Sequence, residues 1–105
     1  MIKFRLYSDR KLTDLLSLLV PEKSEIEETD NGVIIKLIYN GLDYNIRNLV
    51  IKDNKMEVMR YRSVYPKDPE FINKLIFISK LVDKYENMNY SDVINDLTNK
   101  INDKV

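Results

Sequence analysis

The sequence predicts an α+β domain: a mostly antiparallel, twisted sheet packed against helices, in the order β-α-β-β-β-β-α-α. Three observations predict it. The tight-turn signals Asn31-Gly32, Asn40-Gly41 and Asp53-Asn54 lie close together between β-rich runs, as in an antiparallel meander. Leucines at helical spacing before Pro21, and a long apolar-striped segment after Pro69, put helices on both sides of that meander. The chain has 105 residues, 44% hydrophobic and 32% charged, enough for one core and one domain over 1–105 that folds without staples.

Each element has its own local reason. Residues 2–7 alternate, Ile2, Phe4 and Leu6 against Lys3, Arg5 and Tyr7, which reads as a half-buried strand. Ser8 or Asp9 then caps a helix with the stripe Leu12, Leu15, Leu16 and Leu19, ended by Pro21. The acidic run Glu22 to Asp30 contains an edge strand around Ile26, since charge on an edge discourages pairing with another sheet. Asn31-Gly32 turns the chain by adopting positive φ. Val33 to Tyr39 is apolar on both faces except at Lys36, the pattern of a central strand.

After Asn40-Gly41, a strand over 42–52 changes parity midway. Leu42, Tyr44 and Ile46 share one face, Leu49 and Ile51 fall on the other, and a bulge near Arg47-Asn48 reconciles them. Lys55 to Tyr65 follows as the last long strand, stopped by Pro66. Asp68-Pro69-Glu70 starts a helix: Asp caps, Pro takes the first helical position and Glu meets the positive dipole end. This helix runs to about Tyr85, with Phe71, Leu75, Ile78, Val82 and Tyr85 as its core stripe. Ile72, Ile76, Phe77 and Leu81 widen the stripe past one core face. Asn89 or Ser91 caps a final helix lined by Ile94, Leu97, Ile101 and Val105.

Composition narrows the function classes. Lys plus Arg and Asp plus Glu number 17 each, so the formal charge is zero, which argues against a protein that coats nucleic acid. With no Cys there are no disulfides or thiolate metal sites; with no His, the commonest general base and metal ligand is missing. The two glycines both sit in turns, leaving none for a phosphate loop. Asp43, Asp53, Glu57 and the helical pair Asp92/Asp96 show no spacing that converges on a metal. The expectation is a non-enzyme with no cofactor and no metal. The N-terminus lacks the continuous apolar stretch of about 7–15 residues of a signal peptide, and no run approaches the roughly 18–20 that span a bilayer, so the expectation is a cytoplasmic protein without membrane contact. Ile, Lys, Asn and Tyr are heavily used while Ala and Gln are absent, the bias of an AT-rich genome; a viral or mobile-element accessory protein fits it.

Two functional readings stand. The favoured one is a protein-interaction or regulatory module, of inhibitor or adaptor type, that binds a protein partner or a second copy through its C-terminal helices. Its candidate interface is Phe77, Leu81, Ile94, Leu97 and Ile101, although packing within the domain buries the same stripe without a partner and is the commoner arrangement. The alternative is nucleic-acid or polyanion binding by the strand around Arg60, Arg62 and Tyr65, with Lys67 just after it and Arg47 and Arg5 extending the patch if their strands lie alongside. The acidic run is read either as a docking surface for a basic partner or as a guarded edge, the guarded edge being the commoner arrangement.

Overall fold

The computed structural model describes residues 2–104, with side chains from Lys11 to Asp103. Helix α1 spans Ile2–Leu19 and is followed by strands β1 (Ser24–Thr29), β2 (Gly32–Tyr39), β3 (Leu42–Lys52) and β4 (Lys55–Arg60). Helix α2 (Pro69–Val82) ends in a 3-10 turn, Asp83–Tyr85, and α3 covers Tyr90–Lys104. The strands form one antiparallel meander in the order β1-β2-β3-β4. The α+β class, the four-strand meander, the central position of β2 and the edge position of the acidic strand are as the sequence predicts.

Four local expectations are corrected. Residues 2–7 are not a strand: the segment is helical from Ile2 and runs without interruption into the leucine stripe. No Gly, Pro or turn lies between Ile2 and Leu19 to separate two elements, and six alternating residues alone are a weak strand signal. Ser8 and Asp9 therefore sit inside the helix and cap nothing at its start. The first hairpin turns on Asp30-Asn31, with Thr29 paired to Gly32 and no positive φ at Asn31 or Gly32. By contrast, Asn40-Gly41 (φ 51° and 77°) and Asp53-Asn54 (φ 52° and 65°) have the two left-handed residues of a type I′ turn.

The fourth correction concerns the last strand. It ends at Arg60, and 61–68 have no regular structure, so Arg62 is not on a strand face with Arg60. The register shift at Ile35/Lys36 places the bulge of β3 at Ile46-Arg47, within one residue of the expected place, and it bends β3 just where β4 stops pairing. Tyr65 then folds back over the unpaired part of β3. Its hydroxyl donates to the Asn45 carbonyl at 3.1 Å, and its ring joins Tyr44 and Phe71 at centroid distances of 5.9 Å. A strand continued to Tyr65 would forfeit that aromatic cluster.

The helices share one core with one face of the sheet. Leu12, Leu16 and Leu19 of α1, Phe71, Ile78, Leu81 and Val82 of α2, and Val93, Ile94 and Leu97 of α3 pack with Val33, Ile35, Leu37, Ile46, Leu49, Met56 and Val58. The alternate strand residues, among them Ile34, Lys36, Val50 and Met59, point to the opposite face. Helix α1 lies on β1, β2 and α3, and α3 reaches β4. The far edge of the sheet is closed by 87–90: Asn87 N–H donates to the Met56 carbonyl, Met56 N–H to Met88, and Tyr90 N–H to Asn54, at 2.8–2.9 Å. Val105, expected to line α3, lies outside the described residues.

Candidate functional site

Arg47 projects from the bulge toward the end of α2 and is almost enclosed, with 12% of its side chain exposed. Its Nε donates to Asp83 Oδ1 at 2.7 Å, its Nη2 to Asp83 Oδ2 at 3.1 Å and to Ser79 Oγ at 2.8 Å, and its Nη1 to the Ile46 carbonyl at 2.9 Å. Arg60, its cross-strand partner in register, donates to both Glu86 carboxylate oxygens at 3.3 and 3.5 Å and lies 3.7 Å from Asp83. The hydrogen bond to Glu86 raises the Arg60 pKa above its ordinary value, with Asp83 adding to it. The structure thus brings Arg47 and Arg60 together, but onto two carboxylates at the end of α2, so their charge is balanced within the fold. Arg62 and Lys67 are exposed on the irregular 61–68 segment, and the Arg5 side chain lies outside the described residues.

The expected interface residues also divide. Leu97 is fully buried, Leu81 and Ile94 are 7% exposed, and Ile101 is partly buried against the same core. Packing within the domain consumes them, the commoner arrangement for such a stripe. What remains is the surplus width of α2: Ile76 is 45% exposed and Phe77 43%.

Among the described residues, concavities lie at the start of α2 and across the helices. One, of about 450 Å³, lies at the start of α2 beside the Asn40-Gly41 turn and is lined in part by Lys23, Tyr39, Asp68, Glu70 and Lys74. Four of its polar side chains, Tyr39, Asp68, Glu70 and Lys74, are already engaged. Asp68 Oδ1 accepts the Glu70 and Phe71 amides as the α2 cap, Asp68 Oδ2 accepts the Tyr39 hydroxyl at 3.2 Å, and Lys74 pairs with Glu70 at 3.3 Å. Burial, then the Asp68 carboxylate, push the Tyr39 hydroxyl above its ordinary pKa. This cavity reads as wiring that holds α2 to the sheet.

A second, of about 430 Å³, lies across the helices. It is lined by Leu19 of α1, Phe77, Lys80 and Leu81 of α2, and Lys100 and Asp103 of α3. Its floor is apolar and its rim carries ammonium groups. Beside it, Asp96 accepts the Tyr85 hydroxyl at 2.6 Å and Lys84 at 2.8 Å, with Lys100 further off at 4.0 Å. Burial works to raise the Asp96 pKa, but the hydrogen bonds from Lys84 and Tyr85 outweigh it and hold the carboxyl below its ordinary value. Burial, with Asp96 second, pushes the Tyr85 hydroxyl far up. Asp96 raises Lys84, and Lys84 in turn lowers Lys100.

Sequence reasoning read Asp96 only as one of the helical pair Asp92/Asp96 and passed over Lys80, Lys84 and Lys100. The one local signal was the i, i+4 pair Lys80/Lys84 beside an apolar stripe too wide for one core face. Among the described residues no three carboxylates cluster as a metal site would require, and no helix is long and apolar enough to cross a membrane. Comparison with protein-family models, with curated proteins and with solved structures finds no significant match.

Proposed function

We propose that this chain is a non-catalytic protein-interaction module that docks a partner protein in the groove between α1, α2 and α3. The observation that carries the reading is Phe77, 43% exposed over an apolar floor made by Leu19 and Leu81. Leaving a phenylalanine half in water forgoes roughly 1–2 kcal/mol of burial, and neighbouring Ile76 adds to that deficit. An aromatic beside a concave apolar floor with a charged rim is the anatomy of an interface centre. The neutral overall charge and the internal pairing of Arg47 and Arg60 favour this reading over a polyanion-binding sheet.

The test is affinity capture from lysate of the source cell, with the wild-type chain and the Phe77→Asp variant as baits, each with and without nuclease. The expected result is a defined protein that survives nuclease and is lost with Phe77→Asp. Identical capture by both baits, or capture abolished by nuclease, overturns the reading. A circular-dichroism melt of the variant, and the milder Phe77→Ser beside it, separates lost docking from lost folding.

A further inference from the structure

Resting on the docking reading above, we propose that the occupant of the groove is an amphipathic helix with acidic residues flanking its apolar stripe. The walls set its backbone. Every lining residue belongs to a helix, so the groove has no strand edge to offer. A segment that enters must satisfy its own backbone, and a helix does so while presenting side chains at i, i+3, i+4 and i+7 along one line. The apolar part of that line meets Phe77, Leu81 and Leu19.

The rim sets its charge. Lys80 on α2 and Lys100 on α3 stand on the two sides of the apolar floor. Lys100 comes no nearer than 4.0 Å to Asp96, whose carboxylate is already occupied by Lys84 at 2.8 Å and Tyr85 at 2.6 Å. Among the described residues Lys80 has no carboxylate within ion-pair distance, and Asp103 is the single acid on the rim. Two lysines, one on each bank, against the single acid Asp103 leave the rim with a surplus of positive charge, complementary to an occupant that brings carboxylates to both sides of its stripe. A second copy of this chain fits less well. A twofold contact joins two rims that each carry more lysines than acids, and the acidic run of the chain lies in β1, a strand.

The deciding experiment selects a random-peptide display library on the full chain, with counter-selection on Phe77→Asp. The expected Phe77-dependent binders carry Leu, Ile or Phe at helical spacing with Asp or Glu beside them. A synthetic representative gains helix on binding, and loses at least about tenfold in affinity on Lys80→Glu/Lys100→Glu, a variant of two surface side chains. Phe77-dependent binders that are neutral or basic, or indifferent to the lysine reversal, overturn the acidic helix and leave the docking reading standing. Absence of any Phe77-dependent binder overturns the docking reading itself. Sedimentation of the free chain as a dimer that Phe77→Asp dissolves assigns the groove to a second copy and overturns the inference.

Discussion

Arg47 shows how one side chain changes meaning between sequence and fold. Along the chain it is a cation on a strand near other cations. In the fold it is a strut between the β3 bulge and the end of α2, with its guanidinium on Asp83, Ser79 and the Ile46 carbonyl. Removing it strands a partly buried carboxylate, so Arg47→Ala is expected to cost about 2–3 kcal/mol in urea unfolding, while exposed Arg62→Ala stays within about 0.5 kcal/mol. Asp96 gives a pH signature. Its folded pKa lies below the ordinary 3.8, so its contribution is complete above that value and is lost as pH falls through the folded value. The stability gap between wild type and Asp96→Asn is therefore expected to be widest near neutrality and to narrow as pH falls below 3.8, as measured by urea melts across that range. Neither Arg47 nor Asp96 could be assigned from sequence, because their partners lie 36 and 11 residues away.

Elements were legible where local chemistry decides them. Asp68-Pro69-Glu70 starts α2 because cap, fixed φ and dipole agree, and the two type I′ turns follow from Asn-Gly and Asp-Asn. Sequence failed where tertiary context decides. The N-terminal alternation fits either periodicity over so short a run, and the end of β4 depends on an aromatic cluster assembled from β2, β3, α2 and the 61–68 segment. Gly32 was legible as a glycine for the wrong reason. Its φ is not positive; a Cβ there would fall inside van der Waals contact of the Leu49 carbonyl oxygen and press on the backbone of β3. Gly32→Ala is expected to cost about 3 kcal/mol or more, because the obstacle is main chain that cannot rotate aside. A chemical-denaturation curve measures it, and a loss under about 1 kcal/mol would contradict the close approach. The candidate groove was half legible: excess apolar width on α2 was visible, whereas the rim lysines come from two helices that only the fold brings together.

At the scale of the whole molecule, the two edges of the sheet are treated differently. The β4 edge is zipped shut by 87–90 over Asn54 to Met56, leaving only Glu57 to Arg60, shorter than an average strand of about 5–6 residues. Among the described residues no strand pairs with the β1 edge, which carries Glu25 and Glu28 as free carboxylates and Glu27 bound to Lys36 at 2.6 Å. If that guard is removed, growth has one direction only. Two molecules can join β1 to β1 across a twofold axis into a continuous sheet, and each outer end of that sheet then offers only the short stretch Glu57 to Arg60. The triple variant Glu25→Gln, Glu27→Gln, Glu28→Gln is accordingly expected to sediment as a dimer and to form no fibres, whereas a sheet with two open edges would polymerise. The short segment before α3 acts, in effect, as a chain terminator that keeps an edge accident from becoming an aggregate.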